Sequence, residues 1–187
     1  MRQLLMVIAL ILYWIMIPSL AHEADSPLVN LNYTKFVESQ VKLTPPNRVN
    51  EEHCLTEAIY YESGNQSVLG KEAVALVIVN RVGTSRARRS VCAVVQESYP
   101  VQSNEETHIV CQFSYRCEER RAPMRDMWKE SSKVAQRVMS GYVHRELDAA
   151  SGILYFHTSS VHPTWAKTKE KVIQIEEHIF YREPLIP

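Results

Sequence analysis

Glu62 occupies a position where carboxylates are uncommon. Leu55, Ala58, Ile59 and Glu62 fall at i, i+3, i+4 and i+7, one stripe of a helix. That stripe should face a core, and burying a charge there is costly. Ser63-Gly64-Asn65 reads as the helix stop, so Glu62 also sits at the negative end of the backbone dipole. Desolvation and the dipole both disfavour the anion and raise the pKa. A carboxylic acid held protonated near neutral pH can donate to a glycosidic oxygen as it leaves. The plainer reading of the same residue is a salt bridge to Arg81 or a side chain that turns out to solvent. Glu57 lies five positions back, roughly 140° around the helix at 100° per residue, so it should point elsewhere.

Cys54, Cys92, Cys111 and Cys117 are the next chemically distinctive group. Their meaning depends on compartment, and the N-terminus addresses that. Arg2, the apolar run from Leu4 to Ile17 and the small residues ending at Ala21 form the three-part pattern of a secretory signal over residues 1–21. An uncleaved anchor is the alternative, because Leu4 to Leu20 approaches the ~20 residues that span a bilayer; only such a segment would tie this chain to a membrane. In either case the remainder is expected to be exported, periplasmic or extracellular. Four cysteines in an oxidising compartment predict two disulfides, with three pairings open. A zinc site is disfavoured, since no CxxC occurs and the Cys111 to Cys117 spacing suits no common zinc knuckle.

The 21 basic and 21 acidic residues balance, so no basic field argues for nucleic acid and no acidic excess argues for disorder. Residues 22–50 read as a tether closing on Pro45-Pro46-Asn47, and residues 51–187 as one folded domain. Within it, helices are predicted over Cys54–Glu62, Lys71–Val82, a short stretch capped by Ser90 through Gln96, and Met124–Ser140 with Gly141 as its stop. Lys71–Val82 is ambiguous because its β-branched residues favour a strand, but its length favours a buried helix. Ile153–His157, Val172–Ile175 and Ile179–Tyr181 are short, β-branched and aromatic, and read as strands. Helices first and a small antiparallel sheet second give an α+β domain.

Several segments together resemble one known family. They are Cys54-Leu-Thr-Glu-Ala-Ile-Tyr-Tyr-Glu-Ser63, Gly70-Lys-Glu-Ala-Val-Ala-Leu-Val-Ile-Val-Asn-Arg-Val82, Cys111-Gln-Phe-Ser114, Gly152-Ile-Leu-Tyr-Phe-His157, Val161-His-Pro-Thr-Trp-Ala166 and His178-Ile-Phe-Tyr181. In this order they look like the cell wall hydrolases typified by the spore cortex-lytic enzyme SleB. The resemblance implies a lysozyme-like fold, with a substrate groove between a helical part and a small antiparallel sheet. It also implies lytic transglycosylase action on peptidoglycan glycan strands, between N-acetylmuramic acid and N-acetylglucosamine, without a cofactor or metal. The family's catalytic Glu falls on Glu62. Gln112, Tyr155, His157 and Trp165 are of the types that line a sugar groove, although core packing explains Tyr155 and Trp165 equally well. The family's usual Arg-Gly-Glu is Gly64-Asn65-Gln66 here, so a substrate-binding role would fall to an uncharged Gln66. Its usual Gly-Asn in the last hairpin is Glu176-Glu177, which implies another turn type. Muramidase-type hydrolysis of the same bond is the nearest alternative. More distant ones are a metal-dependent wall amidase using His157, His162 and His178, for which no H-E-x-x-H spacing appears, and a non-catalytic glycan-binding protein. Oligomeric state and bacterial or phage origin are left open by the sequence.

Overall fold

A computed structural model describes residues 45–85, 87–103 and 106–184. The export signal, most of the expected tether and Arg86 lie outside the described residues. Among the described residues four α-helices come with two small sheets: α1 (Pro45–Ser63), α2 (Val68–Arg81), α3 (Val91–Val95), hairpin strands β1 (Ser98–Ser103) and β2 (Glu106–Cys111), α4 (Arg125–Met139), then β3 (Tyr155–Thr158), β4 (Glu170–Ile175) and β5 (His178–Arg182). The fold class is α+β, as expected. Among the described residues no helix is long and apolar enough to cross a membrane.

The β-branched run resolves as a helix because it is enclosed on every side. Every residue from Gly70 to Arg81 in α2 is buried, packed among α1, α3 and α4. Ser67 caps it, its hydroxyl accepting from Gly70 N. Two charges inside this helix are paired across to α4: Lys71 with Glu130, and Glu72 with Arg137 at 2.7 Å. α1 begins earlier than the sequence reading, so residues 45–50 are helical rather than tether; proline is well tolerated in a first turn. It ends where expected, and a Cβ on Gly64 would collide with the Tyr60 carbonyl oxygen and the Met127 side chain. α4 buries Ser131, Val134 and Val138 as its periodicity predicts, and Gly141 follows it with φ 96°.

The second sheet has the order β3-β5-β4, antiparallel throughout. It is tied to the end of α2: Asn80 Nδ2 donates to Ile153 O at 3.0 Å, and Arg81 Nε to Leu154 O at 2.7 Å. In the β4–β5 turn Glu176 takes φ 49°, a conformation usual for glycine. Its carboxylate accepts from Ser67 N at 3.0 Å, so the glutamate at this departure from the family pattern pins the hairpin to the start of α2. The β1–β2 hairpin has no counterpart in the sequence reading. All four cysteines pair, Cys54 with Cys92 and Cys111 with Cys117. The first bond ties α1 to α3, and the second closes a short loop after β2.

Candidate active site

The end of α1 carries Glu62 into a cavity of about 360 Å³ between the helices and the sheet. Leu55, Ala58 and Ile59 of its stripe are fully buried; Glu62, at the last turn, is half-buried and opens on the cavity. The neighbouring walls come from three places: Gln112 to Tyr115 in the disulfide-closed loop, His157 on β3, and His178 on β5. Tyr115 stacks on Tyr61 with ring centroids 4.7 Å apart.

A larger cavity of about 640 Å³ adjoins, lined in part by Tyr99, Tyr155, Trp165 and Glu183. Arg81, Gln112 and Phe156 line both, so the two form one groove with Arg81 at the join. Trp165 is held by rings: 5.6 Å from Tyr155, 5.5 Å from His157 and 5.5 Å from Tyr181, centroid to centroid. His157 Nδ1 lies 2.9 Å from Thr158 O, and a carbonyl only accepts, so Nδ1 carries the proton; Nε2 faces the Tyr181 hydroxyl at 2.9 Å. Gln112, Tyr155, His157 and Trp165 therefore share one groove with Glu62. Gln66 lies apart: it is buried, donates to Asn65 Oδ1 at 3.3 Å, and does not line either cavity.

The electrostatics single out Glu62. Its pKa rises from 4.5 to about 7, first through burial and second through the negative charge of Glu118, with Arg81 pulling the other way. Neither the salt bridge to Arg81 nor any other side-chain hydrogen bond forms at Glu62 among the described residues. Arg81 is itself only 6% exposed, and burial lowers its pKa to about 10. Burial also raises the Tyr115 phenol and lowers His178. Glu57 is engaged elsewhere, with Arg116 at 2.9 Å and with Arg120.

Glu118, Arg81, Tyr115 and His178 were not read as groove residues from the sequence. Glu118 sits in the charged run Glu118-Glu-Arg-Arg121, which looks like an ordinary solvated loop. Only the Cys111–Cys117 pairing, undetermined in sequence, would have placed it beside the cavity. Arg81 enters the sequence reading only as a possible salt-bridge partner of Glu62, not as a wall of the groove.

The groove thus brings a helix-borne carboxylic acid together with aromatic and amide side chains. The profile of the Cell Wall Hydrolase family matches residues 65–181, and the chain belongs to that family, whose members are enzymes acting on peptidoglycan. The matched span begins three residues after Glu62. Among solved structures, the catalytic domain of the Bacillus cereus SleB protein superposes with a TM-score of 0.51 at 22% identity, covering 71% of this chain and 90% of that one. The catalytic domain of the germination-specific lytic transglycosylase SleB from Bacillus anthracis gives 0.52 at 20% identity, covering 75% and 98%. These likenesses establish the lysozyme-like fold expected from the sequence. No curated protein sequence matches the chain significantly.

Proposed function

We propose that this chain is an exported lytic transglycosylase that cuts peptidoglycan between N-acetylmuramic acid and N-acetylglucosamine, with Glu62 as its acid and base. The observation that carries the reading is Glu62 itself, held near a pKa of 7 in a groove of sugar-binding character. Glu62 first protonates the leaving glycosidic oxygen. As carboxylate it then takes the proton from the muramic acid C6 hydroxyl, whose oxygen attacks C1. The product end is a 1,6-anhydro sugar and no water is consumed. Gln112, Tyr155, His157 and Trp165 hold the saccharides on either side.

Glu118 favours a second reading. Retaining and inverting hydrolases use two carboxyl groups, and Glu118 supplies a second one on the same cavity. In that reading it would activate a water and the product would be a free reducing end. Digestion in heavy-oxygen water separates the two. Transglycosylation leaves the new muramic ends unlabelled and one water lighter, whereas label at those ends would establish hydrolysis, and loss of that labelled product in Glu118→Gln would assign Glu118 as the partner carboxylate. Export is proposed from the 1–21 pattern together with the two disulfides. The exported protein then begins at His22, and intact mass spectrometry that finds Met1 retained would replace the cleaved signal by an anchor.

A further inference from the structure

Five buried side-chain polar atoms have no partner among the described residues, and three of them, Arg81 Nη1, Tyr115 Oη and His178 Nδ1, belong to residues lining the Glu62 cavity. Native proteins satisfy nearly all buried polar groups, so such a concentration in one groove marks positions that a ligand completes. Arg81 is the most demanding of the three. A guanidinium is donor-only and stays charged, and an unmet buried donor carries its full desolvation cost. Its orientation is fixed by the bond from Nε to Leu154 O at 2.7 Å and by the rings of Phe113 and Tyr155, 5.7 and 5.9 Å from the guanidinium carbon. Arg81 lines both cavities, so a ligand in the groove is a source of the acceptor that the described residues do not supply.

The acceptor's chemistry follows from the surroundings. Glu62 and Glu118 line the same cavity, so an anionic ligand group there would meet two carboxyls. A neutral carbonyl oxygen avoids that repulsion and accepts more strongly than a sugar hydroxyl. The glycan presents such an oxygen on the acetamido group of every N-acetylated sugar. We propose that Arg81 is a specificity-determining residue whose Nη1 donates to the acetamido carbonyl of the sugar seated at the join of the two cavities. The inference rests on the reading of this groove as a glycan site. A de-N-acetylated sugar would lose the acceptor and set an ammonium beside the guanidinium, so the enzyme should discriminate against it.

The test compares N-acetylated with chemically de-N-acetylated peptidoglycan for wild type, Arg81→Met and Arg81→Lys. In Arg81→Met the preference for acetylated glycan, as a ratio of kcat/KM values, should shrink by roughly ten- to a hundredfold, the effect of one charged hydrogen bond. Arg81→Lys, which keeps a cationic donor, should restore part of the ratio. Equal losses on both substrates would assign Arg81 a structural role and overturn the proposal while leaving the cleavage reading intact. Should Arg81→Met not fold, calorimetry compares Glu62→Gln with Glu62→Gln/Arg81→Lys on N-acetylated and de-N-acetylated chitotetraose, and an acetyl preference that is absent, or is unchanged by Arg81→Lys, would overturn it. A wild type that releases no glycan product contradicts the proposed activity instead, and the calorimetric comparison with and without Arg81→Lys still tests Arg81.

Discussion

At the residue scale the central question is why one glutamate can both give and take a proton near pH 7. Its acid form is favoured by burial and by Glu118, and its anion by Arg81, so neither state is far from the other in free energy. Glu62→Gln should keep the fold, since the amide replaces a neutral acid of the same shape. It should lower turnover by ~10²–10⁴-fold, the usual contribution of a general acid–base group, and full activity in this variant would end the reading of Glu62. The raised pKa also sets two pH dependences. In kcat/KM, the alkaline limb should fall through about pH 7, where the free enzyme loses its acid. Glu118→Gln removes a negative neighbour and should move that limb to lower pH; an unmoved limb would mean that Glu118 does not act on Glu62. For stability the sign is that of a raised acid. The contribution is fully present below the unfolded pKa near 4.5 and is lost as pH rises through about 7. Glu62→Gln, which never ionises, should therefore be the more stable protein at pH 9, by on the order of 2 kcal/mol after allowance for water in the groove. Denaturant melts at pH 5 and pH 9 measure the difference.

At the element scale the two disulfides should separate stability from activity. Cys54–Cys92 spans 38 residues and Cys111–Cys117 spans six. Loop-closure entropy makes the longer one worth about 1.6 kcal/mol more. Replacing Cys54 and Cys92 by Ser should thus cost the larger share of a typical ~2–5 kcal/mol loss, read as a lower melting temperature. Replacing Cys111 and Cys117 should lower the melting temperature less and kcat/KM more, because Gln112, Phe113, Ser114 and Tyr115 of that loop line the Glu62 cavity. Equal effects of the two pairs on both measurements would contradict this division. The same elements show what local sequence can report. α4 and α3 were readable because their caps and stops are chemically explicit: Ser90 accepts from Ala93 N and Gly141 takes positive φ. β1 and β2 were not. Nearly every residue in the hairpin is exposed, so the short alternation of Tyr99 and Val101 with Ser98 and Gln102 backs no core face, and Pro100 sits mid-strand opposite Ile109. Proline in a two-stranded edge is tolerated but argues against a strand.

At the scale of the whole molecule, the fold class and most of the groove were legible while their closure was not. Periodicity placed Glu62 on an inward stripe, and residue type marked Gln112, Tyr155, His157 and Trp165; their convergence depends on a sheet docked on α2 through Asn80 and Arg81, which no local pattern encodes. Arg81 and Glu118 escaped for the same reason: Arg81 is held by Leu154, 73 positions on, and Glu118 acts on Glu62, 56 positions back. The N-terminal boundary is a further non-local matter. Residues 45–50 have tether-like composition yet extend α1, and they abut the disulfide: the Cys92 sulfur lies 3.4 Å from Asn50 O, and Glu51 Oε2 accepts from Cys92 N at 3.2 Å. A chain starting at residue 45 should therefore match one starting at His22 in melting temperature and in peptidoglycan cleavage. One starting at residue 52 should melt lower, because it removes the first turns of α1 and the Glu51 carboxylate together. Its Glu62 lies three turns further on, so activity at low temperature should persist. If instead the chain starting at residue 45 already loses stability, residues 22–44 belong to the folded domain and the tether reading falls.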